Sequence, residues 1–516
     1  MKKVNKINKI IFILLGILLI NINCSDDVLD QTNPNVITPT NFWNSAEDAK
    51  KGIIGAYAPF THIWYYTRFE IFASDYRDDL INGFGVSERT ALGRFAGIPG
   101  ANGTIWVWRA MFQGVTRANE VIANVPNIDM DTTERNNILG EGYFIRGINY
   151  FNLLNNWLNV PLITVPISEI EKPNEILQAP PADVWAQIES DLKEAQQLLP
   201  TSWPDEELGR VTSGAATGML GKVYLYQGKY AEAKAEFAKI MDGSYELMDD
   251  YSHNFTAEFE NNKESLFEIQ FVSDGLNGWG ADRANSRKAA AFTEDLAPSG
   301  FTGQDGMRIN QWALDLFLDE RTVNNEIDPR AYTTLFWNTN ETTEYQGKTL
   351  ASRTYGNRTW DEAFPSGNSF IFANKHLDWE YQDLPRGTFN NSSNNLRVLR
   401  YADILLMFAE AEFMLNGSTA AALDAINEVR TRVDMPAFTV ITMQDIEDER
   451  IKELSFEKTR YYDLLRWGQV ESKIVNNSEL KSESGGTSAY KAGREYIAIP
   501  QNELNRNPNF KQNPGY

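Results

Sequence analysis

A polar stretch near the N-terminus carries residue types that can bind a hydroxyl-rich ligand. Residues 74–97 read SDYRDDLINGFGVSERTALGRFAG and contain Asp79, Asn82, Phe84 and Arg94 where helical periodicity fades. Carboxylate, amide and guanidinium groups make paired hydrogen bonds to neighbouring hydroxyls, and an exposed ring can stack on the apolar face of a sugar. This mixture on a loop predicts part of a carbohydrate-binding surface.

A second stretch of the same character lies in the middle of the chain. Residues 273–286, SDGLNGWGADRANS, contain Asn277 and Trp279, and the ring has no helical stripe to join. Trp337 and Trp360 lie in the same irregular region and complete the candidate set, with a place in the core as the alternative for each ring. The 13 Trp, 21 Tyr and 28 Phe residues exceed what a core of this size needs, so some rings should face a ligand or partner.

The sequence contains no signature of a common catalytic or metal centre. HExxH and GxSxG motifs are missing, and His62, His253 and His376 are too scattered for a metal site. Asp78 and Asp79 could form a glycosidase dyad only by facing each other across a substrate, which adjacent residues rarely do. We expect no catalytic residues, no metal and no cofactor. A structural calcium ion in the Asp- and Asn-rich loops is the open alternative, without a complete loop pattern.

The N-terminus has the layout of a bacterial lipoprotein signal. Lysines precede the apolar residues 10–20, a run too short to span a bilayer comfortably, and the single cysteine, Cys24, follows. We expect removal of residues 1–23, lipidation of Cys24 and a flexible tether over residues 24–39, with an uncleaved signal anchor as the alternative. No thiol would then remain for a disulfide.

The charge of the chain narrows the choice of partners. It has 48 basic and 70 acidic residues, and 48 − 70 = −22. So acidic a chain would be repelled by a nucleic-acid backbone or by an anionic lipid surface. We therefore expect no nucleic-acid partner.

Residues 211–241 carry the pattern around which the scaffold is organised. Gly214, Gly218 and Gly221 share one helical face, which allows a second helix to approach the backbone closely. Residues 230–240 then repeat apolar side chains at three- and four-residue steps. The spacing matches a tetratricopeptide unit, and one such hairpin cannot cover its own apolar face, so further units are expected.

Other elements are predicted on both sides of this hairpin. Helices are expected over about residues 40–57, 105–125, 133–158, 184–199, 309–318, 396–415 and 445–467, and a short strand over 265–271. In the first helix Ser45 is the expected N-cap, with Ile53, Ile54 and Tyr57 on one face. In the last helix the charged side chains are spaced as an ion network on one helical face, which indicates an architectural role: Arg450, Glu453, Glu457, Arg460, Asp463 and Arg466. Residues 272–395 are largely irregular, as functional insertions often are.

Three C-terminal stretches connect the chain to a known family. They are RVLRYADILLMFAEAEF at 397–413, ERIKELSFEKTRYYDLLRWG at 449–468 and IPQNELNRNPNFKQNPGY at 499–516. RANEVI at 117–122, GRVTSGAATGMLGKVYLY at 209–226 and the lipoprotein start accompany them. Together these stretches closely resemble the SusD/RagB family of Bacteroidetes outer-membrane nutrient-binding lipoproteins.

The resemblance implies a mostly α fold, in which a tetratricopeptide-like scaffold carries a large irregular insertion with short strands. It implies one SusD-like domain over residues 40–516, with repeats at about 40–260 and 396–470 and a ligand-binding region at about 265–395. The implied protein is a non-catalytic, lipid-anchored glycan-binding subunit on the outer face of the outer membrane. It would pass oligosaccharides to a SusC-like TonB-dependent transporter. Peptide capture as in RagB-like relatives, a surface glycoside hydrolase and a purely structural scaffold are the alternatives.

Overall fold

The computed structural model describes residues 42–62, 64–66, 68–82, 87–272, 290, 296, 307–339, 344–345, 348–349, 359–365, 367, 369–377, 392–477 and 489–516. The expected signal and tether, with Cys24, lie outside these ranges, as do the candidate residues Phe84, Asn277 and Trp279. Within the described ranges, none of the helices combines the length and apolar character needed to cross a membrane.

The N-terminal half is built mainly of helices. These are α1 (Ala46–Tyr57), α2 (Phe69–Ala73), α3 (Ser87–Gly93), α4 (Asn102–Asn124), α5 (Thr132–Trp157), α6 (Pro181–Leu198), α7 (Ser213–Tyr226) and α8 (Tyr230–Ile240). Polar caps fix several starts, because a side-chain oxygen there accepts one of the unpaired N–H groups of the first turn. The predicted cap Ser45 is confirmed, since its hydroxyl accepts the Asp48 N–H at 3.2 Å. Ile54 was assigned to the wrong face of α1: it is 67% exposed, whereas Ile53 is buried.

Close approach at glycine holds the central hairpin together. α7 packs against α8, and a Cβ added at Gly221 would lie 2.5 Å from Cε1 of Phe237 on α8. Only a residue without a side chain leaves room for that ring. Gly218 on the same face of α7 lies instead against Leu266, Leu399 and Ile404. Side chains from β1, β7 and α12 therefore pack against this face in addition to α8.

The insertion contains short elements rather than long helices. It holds α9 (Gln311–Leu318), α10 (Pro329–Thr334), α11 (Trp360–Ala363) and the strands β1 (Ser265–Ile269), β2 (Arg308–Ile309), β3 (Leu335–Phe336), β4 (Glu344–Tyr345), β5 (Lys348–Thr349), β6 (Ile371–Ala373) and β7 (Leu396–Arg400). β2, β6 and β3 form one antiparallel sheet, with β6 in the centre, and β4 pairs with β5.

The predicted helix over 396–415 was wrong in its first five residues. β7 pairs antiparallel with β1, placing Ser265 opposite Arg400 and Ile269 opposite Leu396, and the helix begins only at Tyr401. The reason is tertiary, because β1 supplies backbone partners that a helix would not need. The apolar residues of this segment fit a helical pattern equally well, so periodicity could not separate the two.

The C-terminal helices are α12 (Tyr401–Asn416), α13 (Ala420–Thr431), α14 (Met443–Leu454), α15 (Arg460–Arg466) and α16 (Gln501–Arg506). The predicted single helix over 445–467 was therefore wrong, since α14 ends at Leu454 and α15 begins at Arg460. Phe456 and Lys458 in the intervening turn both have φ of 63°, a left-handed conformation that no α-helix contains. The ε-ammonium of Lys458 donates to the Tyr66 carbonyl at 2.8 Å, which ties this turn to the N-terminal half.

One hydrophobic core runs through both sets of helices, from Ala49 to Ile499. α4 packs on α5, α5 on α6, α6 on α7, α7 on α8, and α8 on α12. The N-terminal stack therefore continues into the C-terminal one across the insertion. The prediction of a mostly α, repeat-like scaffold with short strands in an insertion is confirmed.

Candidate functional site

A surface groove of ≈ 500 Å³ brings one sequence-predicted candidate together with residues far away in the chain. Its walls come from the segment around Asp79, from α9, from α14 and from the residues that follow α15. We call it the Asp79 groove; it is lined by Asp79, Trp312, Gln444, Glu447, Asp448, Ile451, Arg460, Ser472, Lys473, Asn476 and Asn477. Apart from Trp312 and Ile451 the lining is polar, which suits a ligand rich in hydroxyl groups.

An ion pair between distant segments forms the wall of the groove at Asp79. Arg460 Nε donates to Asp79 Oδ1 at 2.8 Å and Nη2 donates to Oδ2 at 2.7 Å, and both side chains are almost fully buried. Arg460 Nη2 also lies 2.9 Å from Glu447 Oε1, and Lys473 Nζ lies 3.1 Å from the same oxygen. The paired geometry fixes the carboxylate plane and joins residue 79 to residue 460.

The backbone around Asp79 is held from several sides. Asp78 Oδ1 accepts the N–H groups of Leu80 and Ile81, at 2.9 and 3.2 Å, which forms a local turn. Ile81 pairs with Ile309 at the edge of β2. The Asp79 carbonyl accepts from Asn310 Nδ2 at 2.8 Å. The predicted loop is therefore locked against the insertion at this point.

A second arginine ties the same segment to α15. Arg77 is 1% exposed; its Nη2 donates to the Tyr461 hydroxyl at 2.6 Å, and its guanidinium lies 4.1 Å from the centre of the Tyr461 ring. Arg77 thus reaches from the N-terminal loop into α15, whereas Arg460 reaches from α15 into the loop. These two contacts, one made by Arg77 and one by Arg460, fasten the loop to α15 on either side and hold Asp79 in place.

Burial and the neighbouring charges shift the pKa values of two side chains in the groove, Arg460 and Asp448. Burial opposes the positive charge of Arg460, but the carboxylates of Asp79 and Glu447 outweigh it and raise the pKa of the guanidinium. Burial raises the pKa of the Asp448 carboxyl above its ordinary value, although the Gln444 amide that donates to it at 2.8 Å opposes this. The groove therefore keeps Arg460 charged at all accessible pH values.

Trp312 is the aromatic residue of the groove, and the candidate set omitted it. Its ring is half-buried, and its Nε1 donates to the Asp79 carbonyl at 3.2 Å. A signal was available in the sequence, because Ala313, Leu314 and Phe317 form the buried stripe of α9 and leave Trp312 beside it. Lys473 was missed because it lies far along the chain, in a π-helical segment over Glu471–Val475.

The other described candidates lie outside the groove lining. Asn82 is partly buried, and its N–H donates to the Arg308 carbonyl at 2.9 Å; Arg94 follows α3 and is also partly buried. Their contact with a ligand stays a prediction.

Trp337 and Trp360 are each 8% exposed. The Trp360 ring packs 5.1 Å from Phe336 and 4.7 Å from Phe364, measured between ring centres. Burial of both rings leaves little face for a sugar and favours the alternative role in the core.

The predicted ion network is buried, but it does not lie on one helical face. Glu453 of α14 is 0% exposed and accepts hydrogen bonds from Arg400 of β7 and from Arg432, both at 2.6 Å, and from Arg330 of α10 at 3.2 Å. Arg450 of α14 pairs with Asp463 of α15 at 2.7 Å. The network therefore joins the insertion to the repeat scaffold, because its members come from different elements.

No group of three or more His, Cys, Asp or Glu side chains placed to hold a metal ion occurs among the residues that the structure describes. Asp79, Glu447, Arg460 and Lys473 of the Asp79 groove are instead matched to one another as ion pairs. The arrangement can position hydroxyl groups and stack a ring.

The stacked helical repeats, the irregular insertion and a polar groove where they meet define a class of helical-repeat proteins that carry a large irregular insertion. The SusD family profile matches residues 263–516, and a second profile, described as "Starch-binding associating with outer membrane", matches residues 27–225. The chain belongs to the SusD/RagB family, as its C-terminal signatures predict.

Individual relatives align over most of their length. SusD-like protein P2 of Formosa agariphila is 25% identical, and the alignment covers 98% of this chain and 99% of the relative. The starch-binding protein SusD of Bacteroides thetaiotaomicron is 22% identical over 81% of this chain and 79% of its own. A SusD superfamily protein from Bacteroides vulgatus superimposes with a TM-score of 0.79 at 27% identity, covering 92% of this chain and 100% of that one. A laminarin-binding SusD-like protein gives a TM-score of 0.73 at 28% identity with the same coverage.

Proposed function

We propose that the Asp79 groove binds an oligosaccharide without cleaving it. The observation that carries this proposal is the half-buried Trp312 ring beside a wall of hydrogen-bonding side chains. Gln444, Lys473 and Asn476 offer donors and acceptors for sugar hydroxyls, and Trp312 offers a ring face. Family membership and the laminarin-binding relative support a glycan as the ligand.

The charge pairing in the groove supports binding rather than hydrolysis. A glycosidase needs one carboxyl group to protonate the leaving oxygen and a second carboxylate across the substrate. Asp79 and Glu447 are both held by Arg460, so neither is free to act as the proton donor. Asp448 then has no unpaired carboxylate opposite it among the described lining residues.

The cellular role follows from the family and from the N-terminal sequence. We infer a lipoprotein anchored through Cys24 at the outer membrane and facing the cell exterior, which captures a glycan and delivers it to a SusC-like TonB-dependent transporter. The lipoprotein-type start of the sequence and the outer-membrane description of the N-terminal family profile support this role. Globomycin treatment of producing cells, which blocks lipoprotein signal cleavage, should leave the precursor uncleaved. If the protein from treated cells has the same mass as the protein from untreated cells, the proposed cleavage and lipid anchor are contradicted.

Calorimetry tests the binding proposal. Laminarihexaose is the first probe, followed by fragments of starch, xylan, mannan, other β-glucans and chitin. Trp312→Ala should weaken binding of the active probe by about tenfold or more, because Trp312 is the aromatic residue of the lining and buried aromatic contacts are common hot spots. Trp203→Ala is the matched control: this half-buried ring lies under Arg210, 3.7 Å away, and outside the groove.

Three results would count against the proposal. Absence of heat across the whole panel would count heavily against glycan binding. An unchanged affinity in Trp312→Ala would place the ligand elsewhere. Release of reducing ends from any probe would show a hydrolase.

A further inference from the structure

A second groove, on a different part of the molecule, has another chemistry. It occupies ≈ 440 Å³ between α4, the residues at 161–176 and the C-terminal tail, and it shares no lining residue with the Asp79 groove. We call it the tail groove. Its apolar lining residues are Trp108, Phe112, Pro161, Ile163, Ile167, Ile170, Pro173, Ile176 and Phe510, and the polar and charged ones are Arg109, Gln113, Thr116, Asn174, Glu503, Arg506 and Asn507.

The two walls of the tail groove are fastened to each other. Asn507 Nδ2 donates to the Ile176 carbonyl at 2.6 Å. Gln178 Nε2 donates to the Lys511 carbonyl at 3.1 Å, and the Lys511 N–H donates back to Gln178 Oε1 at 2.8 Å. Because backbone and side-chain hydrogen bonds close the groove on this side, its shape exists before any ligand arrives.

The chain segment that forms one wall of the groove exposes several large apolar side chains. Ile167 is 53% exposed, and nearby along the chain Val165 is 40% and Leu177 is 64% exposed. Trp106, on α4 beside the groove, is 39% exposed. Exposed large apolar residues in a segment that lines a concavity are a common mark of a protein contact.

A cation with no acidic partner stands at the rim. Arg109 lines the groove, and its guanidinium lies 5.3 Å from the centre of the Trp106 ring. Within the described part of the chain no carboxylate pairs with Arg109, although the protein carries a net charge of −22. Arg506 and Glu503 both line the groove and lie 3.6 Å apart, so their charges offset each other and Arg109 supplies the net positive charge of the lining. An occupant with a carboxylate would therefore find complementary charge here.

We propose that the tail groove docks an extended segment of a partner protein in which apolar side chains are followed by an acidic residue. The apolar residues would fill the isoleucine-lined floor, and the carboxylate would pair with Arg109. A glycan suits this floor less well than an apolar peptide segment, because sugars stack on flat aromatic faces, whereas six of the nine apolar lining residues are isoleucine or proline. The inference is independent of ligand binding in the Asp79 groove.

Fluorescence anisotropy with short synthetic peptides tests the docking proposal on the purified full-length protein in lipid nanodiscs. Three fluorescein-labelled probes are used: a glycine- and serine-based peptide with a central Leu-Leu-Phe followed by Asp-Glu, the same peptide with Lys-Lys in place of Asp-Glu, and the same peptide with Gly in place of the apolar residues. The acidic apolar probe should bind about tenfold more tightly than either of the others, and added salt should weaken its binding.

Matched variants locate the site. Ile167→Glu and Arg109→Glu should each weaken binding of the acidic apolar probe by about tenfold or more. Ile54→Glu, at an isoleucine that is 67% exposed on α1, and Lys51→Glu should leave it unchanged. Ile167 and Ile54 are both exposed, so these substitutions should preserve folding, and circular dichroism checks this.

The proposal is overturned by equal affinity for the three probes, or by wild-type affinity in both Ile167→Glu and Arg109→Glu. Loss of peptide binding in Trp312→Ala would also overturn it, because that result would place the peptide in the Asp79 groove. A reversed charge preference in Arg109→Glu, with the lysine probe now bound more tightly, would be the strongest support.

Discussion

Replacing Glu453 with glutamine should cost this protein a large part of its stability. The carboxylate is fully buried and is shared by Arg330 of α10, Arg400 of β7 and Arg432, which directly follows α13. Burial alone would raise the pKa of Glu453, but the three guanidinium groups outweigh it and lower the pKa, so the residue is charged in the folded protein. Glutamine keeps the size of the side chain and removes the charge.

The size of the effect follows from what each arginine retains. Arg400 still contacts Glu264 and Glu457, and Arg330 still contacts Asp328 and Glu449. No guanidinium is left without an acidic partner, because Arg432 also keeps Glu264 at 3.2 Å. We therefore expect a loss of about 3–5 kcal/mol, the range for breaking one buried pair, rather than three times that amount.

Urea unfolding followed by tryptophan fluorescence measures this loss. Glu207→Gln is the control, because that carboxylate is 42% exposed and pairs with Arg210 on the surface, where such pairs contribute roughly 0–1 kcal/mol. A double-mutant cycle with Arg432→Met should show coupling, since the two groups are in contact. A free energy of unfolding for Glu453→Gln within about 0.5 kcal/mol of wild type would refute the reasoning, because it would mean that the buried network carries no net stability.

Three further predictions follow from the described contacts. Gly221→Ala should lower the free energy of unfolding by about 1–3 kcal/mol, since the new methyl group meets the Phe237 ring at 2.5 Å; Gly55→Ala, where nothing lies within 4 Å, should raise it by up to about 1 kcal/mol. Burial lowers the pKa of His376 to about 3; Lys375 and Lys458 act in the same direction, and Glu457 opposes them. The contribution of neutral His376 to the free energy of unfolding is therefore fully present above pH 6.5 and should be lost as the pH falls from there toward 3. His376→Asn should reduce this slope in urea titrations at several pH values, and His253→Asn should not; equal slopes would contradict it. Asp79→Asn should lower the free energy of unfolding by about 3–5 kcal/mol, because it breaks the buried ion pair with Arg460, and it should weaken glycan binding measured by calorimetry. Wild-type stability together with wild-type affinity would show that Asp79 has no role in the site.

The repeat scaffold could be read from the sequence because its signals are local. Ser45 caps α1 through its own neighbour Asp48, and Gly221 and Phe237 lie within one hairpin, so spacing along the chain was enough to predict both. Where local signals were ambiguous, prediction failed. Residues 396–400 fit a helix until β1 is known to lie beside them. The break after Leu454 has no glycine or proline to announce it, since Phe456 and Lys458 adopt the left-handed turn.

The candidate site shows the same difference between local signals in the sequence and contacts between distant segments. The sequence alone identified Asp79 as a polar residue in an unusual loop, and it set apart the charged residues of the C-terminal signatures as architectural. Only the tertiary structure brought residue 79 within hydrogen-bonding distance of residue 460 and placed Trp312 beside both. Residue types and short spacings are fixed by the sequence, whereas a groove forms from segments hundreds of residues apart, whose approach depends on how the whole core packs.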